Sequence, residues 1–134
     1  MKELILKIED LYYTYGNGKP ALNGVSVDIY EGEKIAVIGS NGSGKSTFFL
    51  NIDGVLMPEQ GKIIYRDMVI NKKNLKELRK NIGIVFQDAD NQIIASTVMA
   101  EVGFGPMNLK LPKDEVLTRV NEALKYMNIS HLKD

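Results

Sequence analysis

The stretch Gly39-Ser40-Asn41-Gly42-Ser43-Gly44-Lys45-Ser46-Thr47 follows the spacing G-x-x-x-x-G-K-[ST]. A glycine-rich loop of this shape turns several backbone N–H groups toward one point and forms an anion-sized nest. A helix opening directly behind it adds the positive end of its dipole. Lys45 can reach the outer phosphates of a polyphosphate, and the Ser46 hydroxyl can ligate Mg²⁺. The glycines let the backbone approach those phosphates with no Cβ in the way. Ordinary turns also use Gly, Ser and Asn. A turn does not require Lys-Ser-Thr at this offset, and the reading is therefore a phosphate cradle formed by Gly39, Ser40, Asn41, Gly42, Ser43, Gly44, Lys45, Ser46 and Thr47.

The flanks agree with it. Lys34-Ile35-Ala36-Val37-Ile38 is short, apolar and rich in β-branched residues, which predicts a buried strand. Thr47 through Ile52 continues as a helix, and Gly54 is a natural stop. Strand, glycine-rich loop and helix is the order this chemistry requires.

Composition bounds the rest. The chain has 134 residues, 44% of them hydrophobic and 25% charged, which suits one soluble globular domain. Seventeen basic and seventeen acidic residues cancel, so strong non-specific attraction to nucleic acid is not expected. The absence of cysteine excludes disulfides, thiolate metal sites and cysteine nucleophiles. No apolar run has the length of a membrane span. The charges within Met1–Lys7 do not fit a signal peptide, and a cytoplasmic protein is expected.

Along the chain, period-two alternation predicts half-buried strands over 4–13 and 25–30, typical of an antiparallel sheet. Turns fall at Gly16-Asn17-Gly18 and Glu31-Gly32-Glu33. Residues 62–65 and 68–70 flank Arg66-Asp67 as a hairpin, and 74–80 forms a short helix with Asn74 as its candidate cap. Residues 82–86 (Ile-Gly-Ile-Val-Phe) predict a second buried strand in the sheet of 34–38. Residues 89–112 read as loop and short helix. Residues 113–127 predict an amphipathic helix with Val116, Leu117, Val120, Leu124 and Met127 on one face. Pro112 near its start and Asp114-Glu115 in its first turn fit helix rules.

With Gly39–Thr47, two further positions stand out: Tyr15, in a loop leading out of the first strand, and Gln87, after the strand 82–86. Together they resemble the ATP-binding subunit of ABC transporters. The stretches Phe86–Gln92 and Val102–Leu109 are similar to the energy-coupling-factor branch, including the cobalt-import ATPases. The resemblance implies an α/β fold: a P-loop NTPase core, an N-terminal antiparallel β-subdomain and the start of a helical subdomain. Residues 1–33 and 62–72 would form mainly the β part, 34–61 and 73–88 the core, and 89–134 the beginning of the helical part. It implies ATP and Mg²⁺ as cofactors, Tyr15 stacking on adenine, and Gln87 closing on Mg²⁺ and the γ-phosphate beside Lys45 and Ser46. It also implies a transmembrane coupling subunit and a second ATPase subunit as partners, at the inner face of the cell membrane. The process served would be import of cobalt, nickel or a vitamin.

The chain departs from that family in what it lacks. The serine-glycine-glycine signature, the strand ending in Asp-Glu and the switch histidine are absent. Asp88 is not the Mg²⁺ aspartate, because Gln87 intervenes and no glutamate follows. His131, the one histidine, has a surface or packing role. The expectation is an N-terminal half of a nucleotide-binding domain, a truncated ABC ATPase domain that binds nucleotide with little or no turnover and exposes unpaired edges prone to self-association. The alternatives are a non-catalytic nucleotide-binding or interaction module, and another P-loop NTPase such as a kinase or a GTPase. The last lacks an Asn-Lys-x-Asp run for guanine. Lys72, Lys73, Lys76, Arg79 and Lys80 read as a solvated helix face, with contact to acidic lipid headgroups as the functional alternative. Residues 89–110, with Met99, Phe104 and Met107, are candidates for the groove of a coupling helix.

Overall fold

A computed structural model describes all of residues 1–134, which gather into two units, Met1–Ile84 and Val85–Asp134. The first unit is built on an antiparallel sheet of β1 (Leu4–Thr14), β2 (Pro20–Tyr30), β3 (Gln60–Tyr65) and β4 (Met68–Val69), in the order β2-β1-β3-β4. Alternation puts Leu6 and Ile8 in the core and leaves Lys7 and Glu9 on the other face, paired at 2.6 Å. The phase then slips by one residue. Asp10 takes a left-handed φ of 46°, its N–H donates to Ser26 Oγ at 2.9 Å, and the next core residue is Leu11. This bulge shifts the register of β1 against both neighbours between residues 8 and 12.

Helix α1 (Lys45–Ile52) lays Phe48 on the core of Leu6, Ile8, Leu11, Leu22 and Ile63. Each such apolar side chain contributes about 1.5–3 kcal/mol when fully buried. The helix ends as the sequence predicts. Gly54 has φ 73°, its N–H donates to Asn51 O at 3.1 Å, and the Val55 N–H donates to Leu50 O at 3.0 Å. This is a Schellman closure, whose left-handed residue glycine adopts without strain. Helix α2 (Leu75–Arg79) buries Leu78.

Four expectations need correction here. Residues 34–38 and 82–86 are not strands; neither joins the only sheet. Ile38 is 92% exposed and Val85 94%. An apolar β-branched run states a capacity to be buried, but a ladder partner and covered faces make it a strand. Strand β2 begins at Pro20, not at residue 25, and so brings Leu22 into the core. Asn74 stands at the cap position of α2 without capping it: its Oδ1 accepts from Asn71 N–H and its Nδ2 donates to Val69 O, each at 2.8 Å.

The second unit is a helical hairpin of α3 (Val98–Asn108) and α4 (Lys113–Tyr126). Thr97 caps α3, its Oγ1 accepting from the Ala100 N–H at 3.2 Å. The helix runs two residues beyond Pro106, whose missing N–H leaves one rung of the ladder unmade, and the Leu109 N–H closes it on Gly105 O at 3.2 Å. Val116, Val120 and Leu124 of α4 are buried against Val98, Met99, Val102, Leu111 and Ile129. Leu117 and Met127, placed on the same face by spacing, are exposed. One partner helix covers only a narrow stripe, and that stripe runs along 116, 120 and 124. No helix is long and apolar enough to cross a membrane.

Candidate functional site: a phosphate loop and its tyrosine

The loop Gly39–Gly44 runs into α1 as the sequence predicts. Gly44 is the N-cap residue, with φ 99° and no side chain capping the first turn. A Cβ there would collide with the Ala21 carbonyl oxygen on β2, so the close seat of the loop on the sheet requires glycine. The amides of Lys45, Ser46 and Thr47 begin α1 and have no partner one turn back. They form the positive end of the helix.

The Lys45 ammonium turns into the loop. It donates to Gly39 O at 2.5 Å, Ser40 O at 2.8 Å and Ser43 Oγ at 3.3 Å. Its three donors are thereby met by two carbonyl oxygens and one hydroxyl of the loop, with the Ser43 bond the longest, which holds the ammonium against the loop. A cation and first-turn amides together suit a polyphosphate. Ser46 is exposed, so its hydroxyl is free to offer an oxygen to a hard cation. No cluster of three His, Asp or Glu residues could hold a metal ion. A Mg²⁺ here would take Ser46 together with phosphate oxygens, its usual mode of binding beside nucleotides.

Tyr15 sits in the loop between β1 and β2, closed by the Gly18 N–H donating to Tyr15 O at 2.8 Å. The ring is 40% exposed. Its hydroxyl lies 2.8 Å from Thr47 Oγ1, and Tyr13 meets its ring edge-on with centroids 5.1 Å apart. The structure thus brings Tyr15, Gly39, Ser40, Ser43, Gly44, Lys45 and Thr47 together. Asn41 and Gly42 complete the loop, Gly42 at φ 82°. Gln87 belongs to the second unit and is exposed there.

Two further residues support the site, one of which, Asn51, the sequence does not single out. Tyr13, which by sequence is a rival of Tyr15 for the stacking position, instead supports the Tyr15 ring edge-on. Asn51 is 1% exposed, one turn after Thr47, with Nδ2 donating to Thr47 O at 2.8 Å and Oδ1 without a partner. Its helical spacing from Thr47 was the available signal. Arg79, read as part of a solvated face, instead donates to Gly54 O at 3.0 Å.

This fold and loop define a class. The chain belongs to the ABC transporter family, whose model matches residues 22–134. It is 47% identical, over its whole length, to an energy-coupling factor transporter ATP-binding protein of Clostridium perfringens, and covers 48% of that protein. It is 46% identical to an energy-coupling factor transporter ATP-binding protein of Methanocaldococcus jannaschii, over 90% of this chain and 44% of that one. Among solved structures it matches CbiO1 of Clostridium perfringens, described as part of the ABC transporter complex CbiONQ. The TM-score is 0.86 at 47% identity, over 98% of this chain and 53% of that one. A dimeric, post-hydrolysis ATP-binding cassette bound to ADP and Pi matches with a TM-score of 0.75 at 28% identity, over 90% of this chain and 56% of that one. The fold is that of an ABC ATPase, and the chain spans about half the length of the curated relatives it matches.

Proposed function

We propose that this chain binds ATP with Mg²⁺. The triphosphate lies in Gly39–Thr47, Lys45 balances its charge, Ser46 ligates the metal and Tyr15 stacks on the adenine. The observation that carries this is the convergence of the Lys45 ammonium on the loop in front of first-turn amides that no side chain caps. Mg²⁺ would supply charge neutralisation of the phosphates. Gln87 would be the residue that senses the metal and γ-phosphate. In proteins of the length of its relatives, the same site would hydrolyse ATP to drive import of cobalt, nickel or a vitamin. Such a protein would be peripheral on the cytoplasmic face of the membrane, paired with a second ATPase subunit and a transmembrane coupling subunit. Residues 89–110 would form the docking surface for the latter; Phe104 and Met107 are exposed there, whereas Met99 packs against the helical core.

The chain has the phosphate-holding groups without the signature and Asp-Glu motifs. It is therefore expected to bind ATP with little turnover. Titration with a fluorescent ATP analogue, with and without Mg²⁺, and a phosphate-release assay test this. Saturable binding lost in Lys45→Ala, with no sustained release, is the expected result. Absence of binding, or a preference for GTP, overturns it.

A further inference from the structure

Tyr15 and Thr47 lie on different elements, 32 residues apart, and join through their hydroxyls at 2.8 Å. Thr47 is 5% exposed and held in the second position behind Lys45 on α1, so it is the fixed member. Tyr15 is in a loop with a partly exposed ring, so it is the member that needs fixing. A tyrosine ring on a loop is otherwise free to turn about χ1 and χ2. Here Tyr13 blocks one direction edge-on, and the hydroxyl bond fixes the tip of the ring.

We infer that the Tyr15–Thr47 hydroxyl pair is a positioning latch, which sets the ring that receives a nucleotide base at a constant distance from the loop that receives its phosphates. This rests on the nucleotide-binding reading above. The chemistry is self-consistent. A threonine hydroxyl has one proton and two acceptor lone pairs. When Tyr15 donates to Thr47, the Thr47 proton is free for a second acceptor, and a phosphate oxygen is the natural one at the head of α1. Tyr13 is then a positioning residue acting through Tyr15, Thr47 both holds Tyr15 and faces the phosphates, and the latch favours ligands that carry a base and phosphates on one sugar over polyphosphate alone.

The test uses the whole chain with Tyr15→Phe, Thr47→Val, Thr47→Ser and the double variant Tyr15→Phe/Thr47→Val. Affinity is measured for a fluorescent ATP analogue directly, and for inorganic tripolyphosphate by competition, both with Mg²⁺. Tyr15→Phe keeps the ring for stacking and removes only the bond. It is expected to weaken ATP about fivefold, the worth of one net hydrogen bond, and to leave tripolyphosphate within about twofold. Thr47→Val should weaken ATP at least as much, Thr47→Ser should restore it, and Tyr15→Phe added to Thr47→Val should cost less than about twofold more. Three results overturn the latch: unchanged ATP affinity in Tyr15→Phe, equal losses for ATP and tripolyphosphate in Tyr15→Phe, or additive losses in the double variant. Should Thr47→Val melt below the assay temperature, the Tyr15→Phe split between the two ligands decides alone. If the unsubstituted chain binds neither ligand, the nucleotide reading itself fails; if it binds ATP and Tyr15→Phe is silent, only the latch fails.

Discussion

Arg79 Nη2 donates to the Gly54 carbonyl oxygen at 3.0 Å, and so fastens α2 to the turn that ends α1. Gly54 is the left-handed residue of that turn, whose carbonyl no helix ladder uses. The bond joins a cation to a partly buried backbone acceptor, so its loss leaves that acceptor short of a partner. Arg79→Met, which keeps the apolar stem, is expected to destabilise the chain by about 1 kcal/mol, or about 3–5 °C in melting temperature. A thermal melt followed by circular dichroism measures it, and an unchanged midpoint would sink the idea.

The neighbouring Asp53 sets a pH dependence. Burial raises its pKa above the ordinary carboxylate value, and Arg79 pulls the other way with the smaller effect. A carboxyl whose folded pKa is raised holds its proton more tightly in the folded state. Its penalty is absent below the unfolded pKa, grows as pH rises through the raised folded value, and is complete above it. Asp53→Asn should therefore raise stability at neutral pH, and the gain should vanish in acid below the normal aspartate range. Denaturant midpoints of the two proteins at several pH values report this; a gain that stays constant across pH would contradict it.

Gly44 carries two demands at once. Its φ of 99° is costly for any residue with a Cβ, and the added carbon would strike Ala21 O. Gly44→Ala is expected to cost about 1–3 kcal/mol from the backbone conformation alone, and more from the collision. Because the loop must then lift from β2, nucleotide affinity should fall by more than the stability loss explains. Titration below the melting temperature of the variant separates the two. Native affinity in Gly44→Ala would show that the seat on β2 is dispensable.

In the second unit, the Glu101 carboxylate accepts from the Ile94 N–H at 2.9 Å and the Ala95 N–H at 2.7 Å. One side chain of α3 therefore holds the segment that leads from Gln87 into the helical hairpin. Glu101→Ala should speed hydrogen exchange at Ile94 and Ala95 about tenfold, and Glu101→Gln, which keeps one acceptor oxygen, should do so less. Exchange at these amides indifferent to both substitutions would remove Glu101 from this role.

The glycine-rich loop at the head of α1 was legible because its pattern is local. Glycines, lysine and hydroxyls at fixed offsets act within one turn of chain, and the structure finds Lys45 turned into the loop they form. The hairpin at Arg66-Asp67 and helix α4 were legible for the same reason, since period and turn residues report on neighbours in sequence. At 34–38 and 82–86 composition predicts strands that the structure does not form, since Ile38 and Val85 are apolar and β-branched yet exposed. Burial is a relation between segments, and no window of sequence contains the partner.

From sequence alone came the position of the glycine-rich loop ahead of α1, the antiparallel character of the N-terminal strands and the resemblance to ABC ATPases, all carried by residue type at short spacing. Tertiary structure decided the rest. It slipped β1 by one residue at Asp10, seated Gly44 against Ala21, brought Arg79 to Gly54 and joined Tyr15 to Thr47. Each of these relations depends on a distance of a few ångströms between segments far apart in the chain, and only the packed sheet and helix set such distances.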